Sequence, residues 1–206
     1  MRKIKEVMQL DFNFDYRLEN ERVLLRPLTL ADEENLLPIS LNEPDTWKYS
    51  LVSAAGEEGL KNYLQIAIDG RAQEKEYPFI VFDKRTGEYA GSTRFYDIQL
   101  PFDALQLGYT WYGSKFQGTG LNKNCKFLLL EFVFEKLGAE RLEFRADNDN
   151  ARSIAAMKSI GCKVDGILRS NMPRPAGLPG RRDSIVLSIL KDEWFNDVKQ
   201  KLQTRL

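Results

Sequence analysis

The sequence predicts an α/β (α+β) protein with a mixed, mostly antiparallel central sheet and helices on both of its faces. The first observation is a pair of β-rich segments on either side of the turn Asp83–Gly87, which predicts an antiparallel hairpin. The second is that two later strands each lead directly into an amphipathic helix, as strand–helix–strand units do. A hairpin joined to such units requires one sheet with both antiparallel and parallel neighbours.

The first half of the chain contains the predicted hairpin and two helices in front of it. Thr29 is a suitable N-cap residue, because its side chain can accept a hydrogen bond from the first turn of a helix. Apolar residues that recur at helical spacing predict the longer second helix. The predicted elements are a strand at Arg22–Arg26 that Pro27 ends, helices at Ala31–Ile39 and Glu57–Arg71, and hairpin strands at Pro78–Phe82 and Tyr89–Tyr96.

Two glycines mark the ends of predicted helices in the second half. Gly138 and Gly161 each follow a run of helical periodicity, where a glycine can adopt the left-handed conformation that ends a helix. Proline and glycine crowd the segment Met172–Arg182, which predicts a surface loop. The predicted elements are strands at Ala104–Tyr112 and Arg141–Ala146, helices at Leu121–Leu137 and Ala151–Ile160, extended segments at Lys163–Leu168 and Ser184–Leu190, and a last helix at Lys191–Leu202.

The length of 206 residues fits one domain, predicted over residues 21–206, after a lead segment at residues 1–20. A hydrophobic fraction of 43% provides enough apolar side chains for a large core. The chain contains no histidine, which excludes Ser-His-Asp and Cys-His catalysis and most zinc sites, so no metal is expected. Cys125 and Cys162 show no CxxC spacing and are predicted to be buried, reduced thiols.

Charge and targeting signals narrow the range of partners. Thirty Lys and Arg residues balance thirty Asp and Glu residues, so the formal net charge is zero. Nucleic-acid binding through phosphates usually requires a basic excess, and nucleic acid is therefore not expected as a partner. The first 20 residues lack the apolar core of a signal peptide, and no later segment has the apolar length of a membrane helix. We expect a cytoplasmic protein that does not bind membranes.

The most informative segment is a strand that passes through a glycine loop into the longest predicted helix. The loop reads Gln117-Gly118-Thr119-Gly120-Leu121-Asn122. Glycines let backbone N–H groups approach a bound anion, and the helix dipole adds partial positive charge at the same place. The loop lacks the GK[ST] ending of a Walker A motif and the GxGxxG spacing, so it predicts a pyrophosphate site of another kind. The alternative is an ordinary tight turn.

A second polar turn follows the next predicted strand. Asp147-Asn148-Asp149-Asn150 leads into the helix that contains Ser153. Asn and Asp can cap this helix, which accounts for part of the pattern. Because two successive strand-to-helix turns are both polar, they predict a shared cleft between neighbouring strands.

Several motifs at these turns and beyond them together resemble one protein family. Residues 117–122 are similar to the acyl-CoA loop Q/R-x-x-G-x-G/A, and Gly118–Asn122 reads GTGLN. Asn150–Ser153 matches N-x-x-S, Gly161-Cys162 matches G-C/F, and Arg182–Trp194 contains the ending R-D…S-I-L…E-W. These motifs resemble the GNAT superfamily of acetyltransferases, specifically the branch of ribosomal-protein alanine N-acetyltransferases (Rim-type). The opening at Arg22–Thr29 is also similar, so the likeness runs from about Glu21 to the C-terminus.

The resemblance implies a V-shaped cleft for acetyl-CoA between the strands that end at Tyr112 and Ala146. It implies direct attack of a neutral primary amine on the thioester, with acetyl-CoA as co-substrate and no metal. Ser153 is its candidate proton donor, with a serine bonded to its own helix backbone as the alternative, and Tyr109 is its second candidate catalytic residue. The residues it implies in acetyl-CoA binding are Thr110, Trp111, Tyr112, Gln117, Gly118, Thr119, Gly120, Leu121, Asn122, Asn150 and Ser153.

Side-chain directions limit two of these assignments. Tyr109 and Tyr112 are three residues apart on one strand and should face opposite sides, so at most one side chain lines the cleft. Lys115, Lys123 and Lys126 are candidates for the CoA phosphates, with solvated surface lysines as the alternative.

Two departures from the branch bear on the acceptor. Gln106 stands where the branch often has Glu, and an amide cannot deprotonate an amine; the Pro-rich segment Met172–Pro179 replaces a shorter turn. An α-amine has a pKa of about 8 and a lysine amine one of about 10.4, so Gln106 favours an easily deprotonated acceptor such as a protein N-terminal α-amine. The alternatives are a small amine (polyamine, amino acid or drug), a module that binds acyl-CoA without turnover, and a nucleotide binder unrelated to CoA. The segment Trp47–Leu51 and the Pro-rich segment are candidate surfaces for the acceptor or for a homodimer.

Overall fold

Eight strands form one sheet in the computed structural model, which describes residues 7–175 and 178–206. They are β1 (Leu18–Glu19), β2 (Val23–Pro27), β3 (Tyr77–Asp83), β4 (Glu88–Gln99), β5 (Ala104–Tyr112), β6 (Arg141–Asp147), β7 (Lys163–Pro173) and β8 (Arg181–Leu190). Their order is β1-β2-β3-β4-β5-β6-β8-β7, and each neighbouring pair is antiparallel except β5 and β6, which are parallel. The predicted mixed, mostly antiparallel sheet is confirmed.

Helices cover both faces of this sheet, as predicted. On one face, called the α2 face, Tyr63 packs its ring 6.0 Å from that of Trp111 in β5. On the other, called the α3 face, Lys126 lies 2.9 Å from the hydroxyl oxygen of Thr110. The helices are α1 (Glu33–Asn42), α2 (Gly56–Ala72), α3 (Leu121–Glu131, continued by the wider π-helical turn Phe132–Leu137), α4 (Ala151–Ser159), and a C-terminal helix made of Lys191–Glu193, the π-helical turn Trp194–Val198 and Lys199–Gln203. No helix in the two described ranges has the length and apolar character needed to cross a bilayer.

The V-shaped opening arises where the two parallel strands separate. β5 and β6 pair only from Ala104 opposite Arg141 to Gln106 opposite Glu143. Beyond these residues β5 continues to Tyr112 beside β4, whereas β6 continues beside β8. Because the strands no longer pair, the backbone groups of β5 that face β6 are left free for other partners. The predicted cleft is thus confirmed.

The segment predicted as a loop at Met172–Arg182 belongs at both of its ends to the strands of a β-hairpin, so the prediction was wrong there. Residues 174, 175 and 178–180 lie outside the strands, as predicted. Met172 of β7 pairs with Arg182 of β8, and Pro173 pairs with Arg181. A proline is tolerated there because β7 is the edge strand, where a missing N–H leaves no neighbour unpaired. The part of the prediction that falls on residues 176 and 177 lies outside the described residues.

Residues of the predicted lead segment pack against the rest of the domain. Met8, Leu10 and Phe12 are buried, and Leu18–Glu19 adds a short edge strand beside β2. The lead therefore contributes to the core. The boundary at residue 20 stays a prediction.

The two cysteines are free thiols buried in the interior, as predicted. Burial raises the pKa of Cys125 and of Cys162 to about 12. Neither is therefore a thiolate at neutral pH, and neither is suited to act as a nucleophile.

A substitution of Gly91 in β4 tests how closely β4 and β5 approach each other next to the cleft. Its backbone φ is 155°, and a Cβ atom there would overlap the carbonyl oxygen of Trp111, a backbone atom that cannot rotate away. We expect Gly91→Ala to lower the free energy of unfolding by about 2–4 kcal/mol, measured by urea denaturation. Gly87→Ala is the control, since φ is 72° but nothing lies within 4 Å of the added atom, and only about 1–2 kcal/mol is expected. Equal losses would contradict the packing argument.

Candidate active site

A cavity of about 650 Å³ fills the opening between β5 and β6. Its lining includes the second halves of both strands, the start of α4, and Tyr49–Val52 from the loop before α2. Of the residues predicted to bind acetyl-CoA, those that line it are Thr110, Trp111, Tyr112, Gln117, Gly118, Asn122, Asn150 and Ser153. Thr119, Gly120 and Leu121 belong to the adjoining loop but do not line the cavity. The side chain of Leu121 is fully buried, so only its backbone can face a ligand.

The glycine loop presents unpaired N–H groups at the N-terminus of α3. Gly118 and Gly120 have φ values of 73° and 87°, and a Cβ on either would meet nothing within 4 Å. Within the described ranges, the backbone N–H groups of Gly118, Thr119, Gly120 and Asn122 donate to no protein acceptor. Free N–H groups at a helix N-terminus, together with the helix dipole, form an anion site. The loop therefore fits the pyrophosphate of a CoA ester.

The side chain of Gln117 connects this loop to the end of β5 and to the start of α4, on the two sides of the cleft. Its side-chain amide donates to the carbonyl of Tyr112 at 2.8 Å, and its side-chain oxygen accepts from Arg152 of α4 at 2.6 Å. The end of β5 and the start of α4 are thereby held at a fixed separation. The side chain of Gln117 stabilises the entrance of the cleft.

A β-bulge changes the direction of side chains in β5 at Tyr109. Gly108 pairs with Arg94 and Trp111 with Ser92, so two residues of β5 oppose one residue of β4. Tyr109 has a φ of 48°, which is unusual for a residue with a side chain. Gly108 and Tyr109 consequently both face the α2 side.

The predicted opposite orientation of Tyr109 and Tyr112 is observed, although both residues line the cavity. Tyr109 packs against the guanidinium of Arg94 on the α2 face, with 3.9 Å to the ring centre, whereas Tyr112 lies beside Cys125 of α3. Burial raises the pKa of the Tyr109 hydroxyl, although the positive charge of Arg94 acts in the other direction. Tyr109 is therefore protonated at neutral pH and can donate a proton.

Arg94 supports this region from inside the protein. Its side chain is fully buried, pairs with Glu76, and lies 4.7 Å from the ring centre of Tyr63. The Tyr63 hydroxyl in turn donates to the Tyr109 carbonyl at 3.2 Å. The bulge residue is thus held through both its ring and its backbone.

Asn150 and Ser153 lie together at the start of α4, on the cleft. The Asn150 side-chain oxygen accepts from the Ser153 N–H at 3.1 Å, so Asn150 caps the helix. The Ser153 hydroxyl forms no hydrogen bond with its own helix backbone, which leaves it available to a ligand. The alternative interpretation of Ser153 is not observed.

Gln106 is buried and faces a carboxylate on the neighbouring strand. Its side-chain N–H donates to Asp97 at 2.6 Å, and Gln99 donates to the other carboxylate oxygen at 3.1 Å. Asp97 has a φ of 46° at an irregularity of β4, which sequence periodicity does not reveal. A carboxylate therefore lines the cleft next to the position where the branch often has Glu. Within residues 7–175 and 178–206, no group of three or more acidic or cysteine side chains could hold a metal ion.

Lys126 corrects the prediction of a surface lysine or phosphate ligand. Its side chain is buried, with 5% exposed, and lines the cleft from the α3 side. It donates to the hydroxyls of Thr110 at 2.9 Å and Thr93 at 3.4 Å, and no carboxylate of the described residues pairs with it. Burial lowers the pKa of Lys126 from 10.5 to about 8. Lys115, by contrast, is exposed and pairs with Glu88.

A V-shaped opening in a mixed sheet, with the free N–H groups of a glycine loop at its mouth, is the arrangement that the resemblance to the GNAT type implies. Residues 22–163 match the family model for the GNAT acetyltransferase domain. The chain belongs to this family, and it is an N-acyltransferase by that membership.

Individual relatives agree with this assignment. The chain is 24% identical over 178 residues to the uncharacterized N-acetyltransferase p20 of Bacillus licheniformis, covering 86% of this chain and 97% of the relative. A T. thermophilus protein described as an acetyltransferase is 32% identical, with a TM-score of 0.81 and coverage of 94% and 98%. The ribosomal-protein-S5-alanine acetyltransferase of Vibrio fischeri shares the fold at a TM-score of 0.70, with 19% identity and coverage of 87% and 99%.

Lys126→Met tests the burial of this charge. A folded-state pKa of about 8 against an ordinary value of 10.5 means that the buried ammonium destabilises the fold below pH 8. As pH rises from about 8 to 10.5 the unfolded state binds more protons than the folded state, so this penalty disappears. We expect Lys126→Met to raise the free energy of unfolding at pH 7 by on the order of 1–3 kcal/mol, and the difference to shrink above pH 8.

The measurement is urea denaturation of both proteins at several pH values. Lys123→Met, a change of a less buried lysine on the same helix, is the control and should show no such dependence. A difference that stayed constant from pH 7 to 10 would contradict the lowered pKa.

Proposed function

We propose that this protein transfers the acetyl group of acetyl-CoA to a primary amine by direct attack. The observation that carries the proposal is the opening between β5 and β6, which leads from the free N–H groups of the glycine loop to Tyr109. The cofactor-binding set predicted from the sequence follows this path. The pyrophosphate would lie on the amides of residues 117–122, and the pantetheine arm along the unpaired edge of β5.

In this reaction the amine nitrogen forms a bond to the thioester carbon, and the carbon–sulfur bond breaks. The amine loses one proton, and the departing thiolate gains one, so N-acetylamine and free CoA thiol are the products. The proton donors that line the cleft include the hydroxyls of Ser153 and Tyr109 and the ammonium of Lys126. A thiol has a pKa of about 8.5, and the ammonium of Lys126, with a pKa of about 8, matches it more closely than either hydroxyl does.

The carboxylate of Asp97 takes the place of the missing Glu in this proposal. Gln106 cannot accept a proton, but its side-chain N–H donates to a carboxylate oxygen of Asp97 at 2.6 Å. This bond holds Asp97 on the same side of the sheet as Tyr109. Asp97 would accept the amine proton directly or through one water. Such assistance is modest, which favours an acceptor of low pKa, such as an N-terminal α-amine, over a lysine side chain.

Asn122→Asp tests whether the glycine loop binds acetyl-CoA. Acetyl-CoA at 100 times its Kd should add about 2.7 kcal/mol, or roughly 5–10 °C in Tm, whereas ATP should add nothing. An acidic residue in the first turn of α3 favours the helix dipole, so the variant should fold normally. Its charge would repel the pyrophosphate, and the thermal shift with acetyl-CoA should shrink by more than half. A thermal shift equal to that of the wild-type protein would contradict the assignment of the loop to the acetyl-CoA site.

Asp97→Asn tests the proposed base. Asn adopts positive φ about as readily as Asp and is nearly isosteric, so the bulge should be retained. With an acceptor amine supplied at pH 7, we expect thiol release, measured as kcat/KM, to fall on the order of 100-fold. The thermal shift with acetyl-CoA should not change.

Asp69→Asn is the matched control, because Asp69 is an exposed residue of α2 whose carboxylate bonds only Gln65 of the same helix. Full activity of Asp97→Asn would contradict the assignment of the base. Acetyl-CoA binding without thiol release from any amine, in the wild-type protein, would instead indicate the non-catalytic module.

A further inference from the structure

Arg182 is a buried cation in the cleft for which the described part of the chain supplies no anion. Only 8% of the residue is exposed, and it lines the cavity from the first residues of β8. One Nη atom donates to the carbonyl of Tyr49 at 3.3 Å, and its Nε has no partner. No carboxylate of residues 7–175 or 178–206 lies within ion-pair distance of its guanidinium.

A guanidinium cannot avoid the free-energy cost of a buried, unpaired charge by losing its proton, as a buried lysine can. Buried charges in proteins are normally paired, because removal from water is expensive. Arg94, which is fully buried, follows that rule by pairing with Glu76, and the half-buried Arg145 pairs with Glu143 at 2.7 Å. Arg182 is therefore arranged for an anion that arrives with a ligand.

The position of Arg182 points to the acceptor rather than to the phosphates of CoA. Arg182 pairs with Met172 across the β7–β8 hairpin, and it lines the main cavity together with Tyr109. A second, smaller cavity beside the glycine loop is lined by Gln117 and Arg152 but not by Arg182. Arg182 thus belongs to the Tyr109 side of the cleft.

Two buried side-chain oxygens in the same cavity also lack a hydrogen-bond donor among the described residues. The side-chain oxygen of Asn171, on the neighbouring strand β7, is buried and forms no hydrogen bond. One carboxylate oxygen of Asp147, at the end of β6, is in the same state, and both residues line the cavity. A ligand with a carboxylate for Arg182 and N–H donors for these oxygens would satisfy all three groups.

We propose that Arg182 binds a carboxylate of the acceptor, so that the substrate is an amine that carries a carboxylate on the same molecule. This inference rests on the proposed acetyl transfer and specifies its acceptor. Two sources provide this chemistry: a free amino acid, and a peptide whose N-terminal residue is Asp or Glu. Arg182 acts on specificity, since it holds the acceptor without taking part in bond formation.

The first experiment uses the wild-type protein and pairs of acceptors that differ only in the anionic group. Thiol release from acetyl-CoA is measured with amino acids and their α-carboxamides, and with peptides that begin with Asp or Glu and their Asn or Gln counterparts. We expect the carboxylate member of one pair to have a kcat/KM on the order of 30-fold higher, the effect of one buried charge pair. The pair that shows the preference identifies the source.

The second experiment uses Arg182→Met with Arg181→Met as the matched control. Arg181 is adjacent on β8 but exposed, and it does not line the cavity. It donates to the carbonyl and hydroxyl of Ser170 and to the backbone carbonyl of Asn171, not to the Asn171 side-chain oxygen. In Arg182→Met the preference for the carboxylate should disappear through a higher acceptor KM, while the KM for acetyl-CoA should not change. Arg181→Met should retain the preference. Arg182→Lys, which keeps the charge, should retain part of it and covers the case in which the methionine variant does not fold.

Three results would overturn the inference. Equal rates with carboxylates and carboxamides in the wild-type protein would show that no anion is recognised. A raised KM for acetyl-CoA in Arg182→Met, with the acceptor preference intact, would assign Arg182 to the cofactor. Thiol release from no amine at all would refute the proposed function itself, and is distinct from the first result, in which transfer occurs without preference.

Discussion

The short parallel pairing of β5 and β6 is the constraint on which the rest of the site depends. Three residue pairs, from Ala104 to Gln106, hold the strands together before they separate. A longer pairing would close the sheet and satisfy the backbone of β5, leaving no place for an extended ligand. The separation also lets Lys126 reach the cleft from the α3 face while Tyr109 lines it from the α2 face. One interruption of the sheet thus creates the cavity and gives it two chemically different sides.

The bulge at Tyr109 is strained, and its support comes from a buried charge network. Arg94 lies between the rings of Tyr63 and Tyr109 and pairs with Glu76, all within the protein. Removing either charged partner would leave the other uncompensated in a medium of low dielectric, which costs several kcal/mol. The network therefore fixes the positive φ of Tyr109 more firmly than apolar packing of the same volume would. The strained backbone of Tyr109 lowers the stability of the fold but fixes the position of this residue.

The elements and the cofactor loop could be predicted from the sequence because they follow local rules. Hydrophobic periodicity located β5 and α3, and the glycine pattern indicated a proposed anion site at Gly118 and Gly120, both of which have positive φ in the structure. Groups brought together by irregular backbone could not be predicted in this way. Asp97 faces Gln106 because of a β-bulge, which shows no alternation signal.

Composition misled the prediction at the hairpin between β7 and β8. Prolines and glycines indicated a loop, yet pairing across the sheet edge extends both strands and buries Arg182. The sequence makes Lys126 a candidate for the CoA phosphates or a solvated surface lysine, because a lone lysine in an amphipathic helix usually lies at the surface. In the fold it lies opposite Thr110, where β6 has moved away and left room for it.

The absence of histidine explains why desolvation is so prominent in this cleft. Without a group that titrates near neutrality, proton transfer must use side chains whose ordinary pKa values lie far from pH 7. Burial raises the pKa of Tyr109, which keeps it a donor, and lowers that of Lys126 to about 8, close to the value of a thiol. The two groups lie on opposite faces of the sheet. In the proposed reaction Lys126 can therefore protonate the leaving thiolate from the α3 side without occupying the α2 side, where Tyr109 lies.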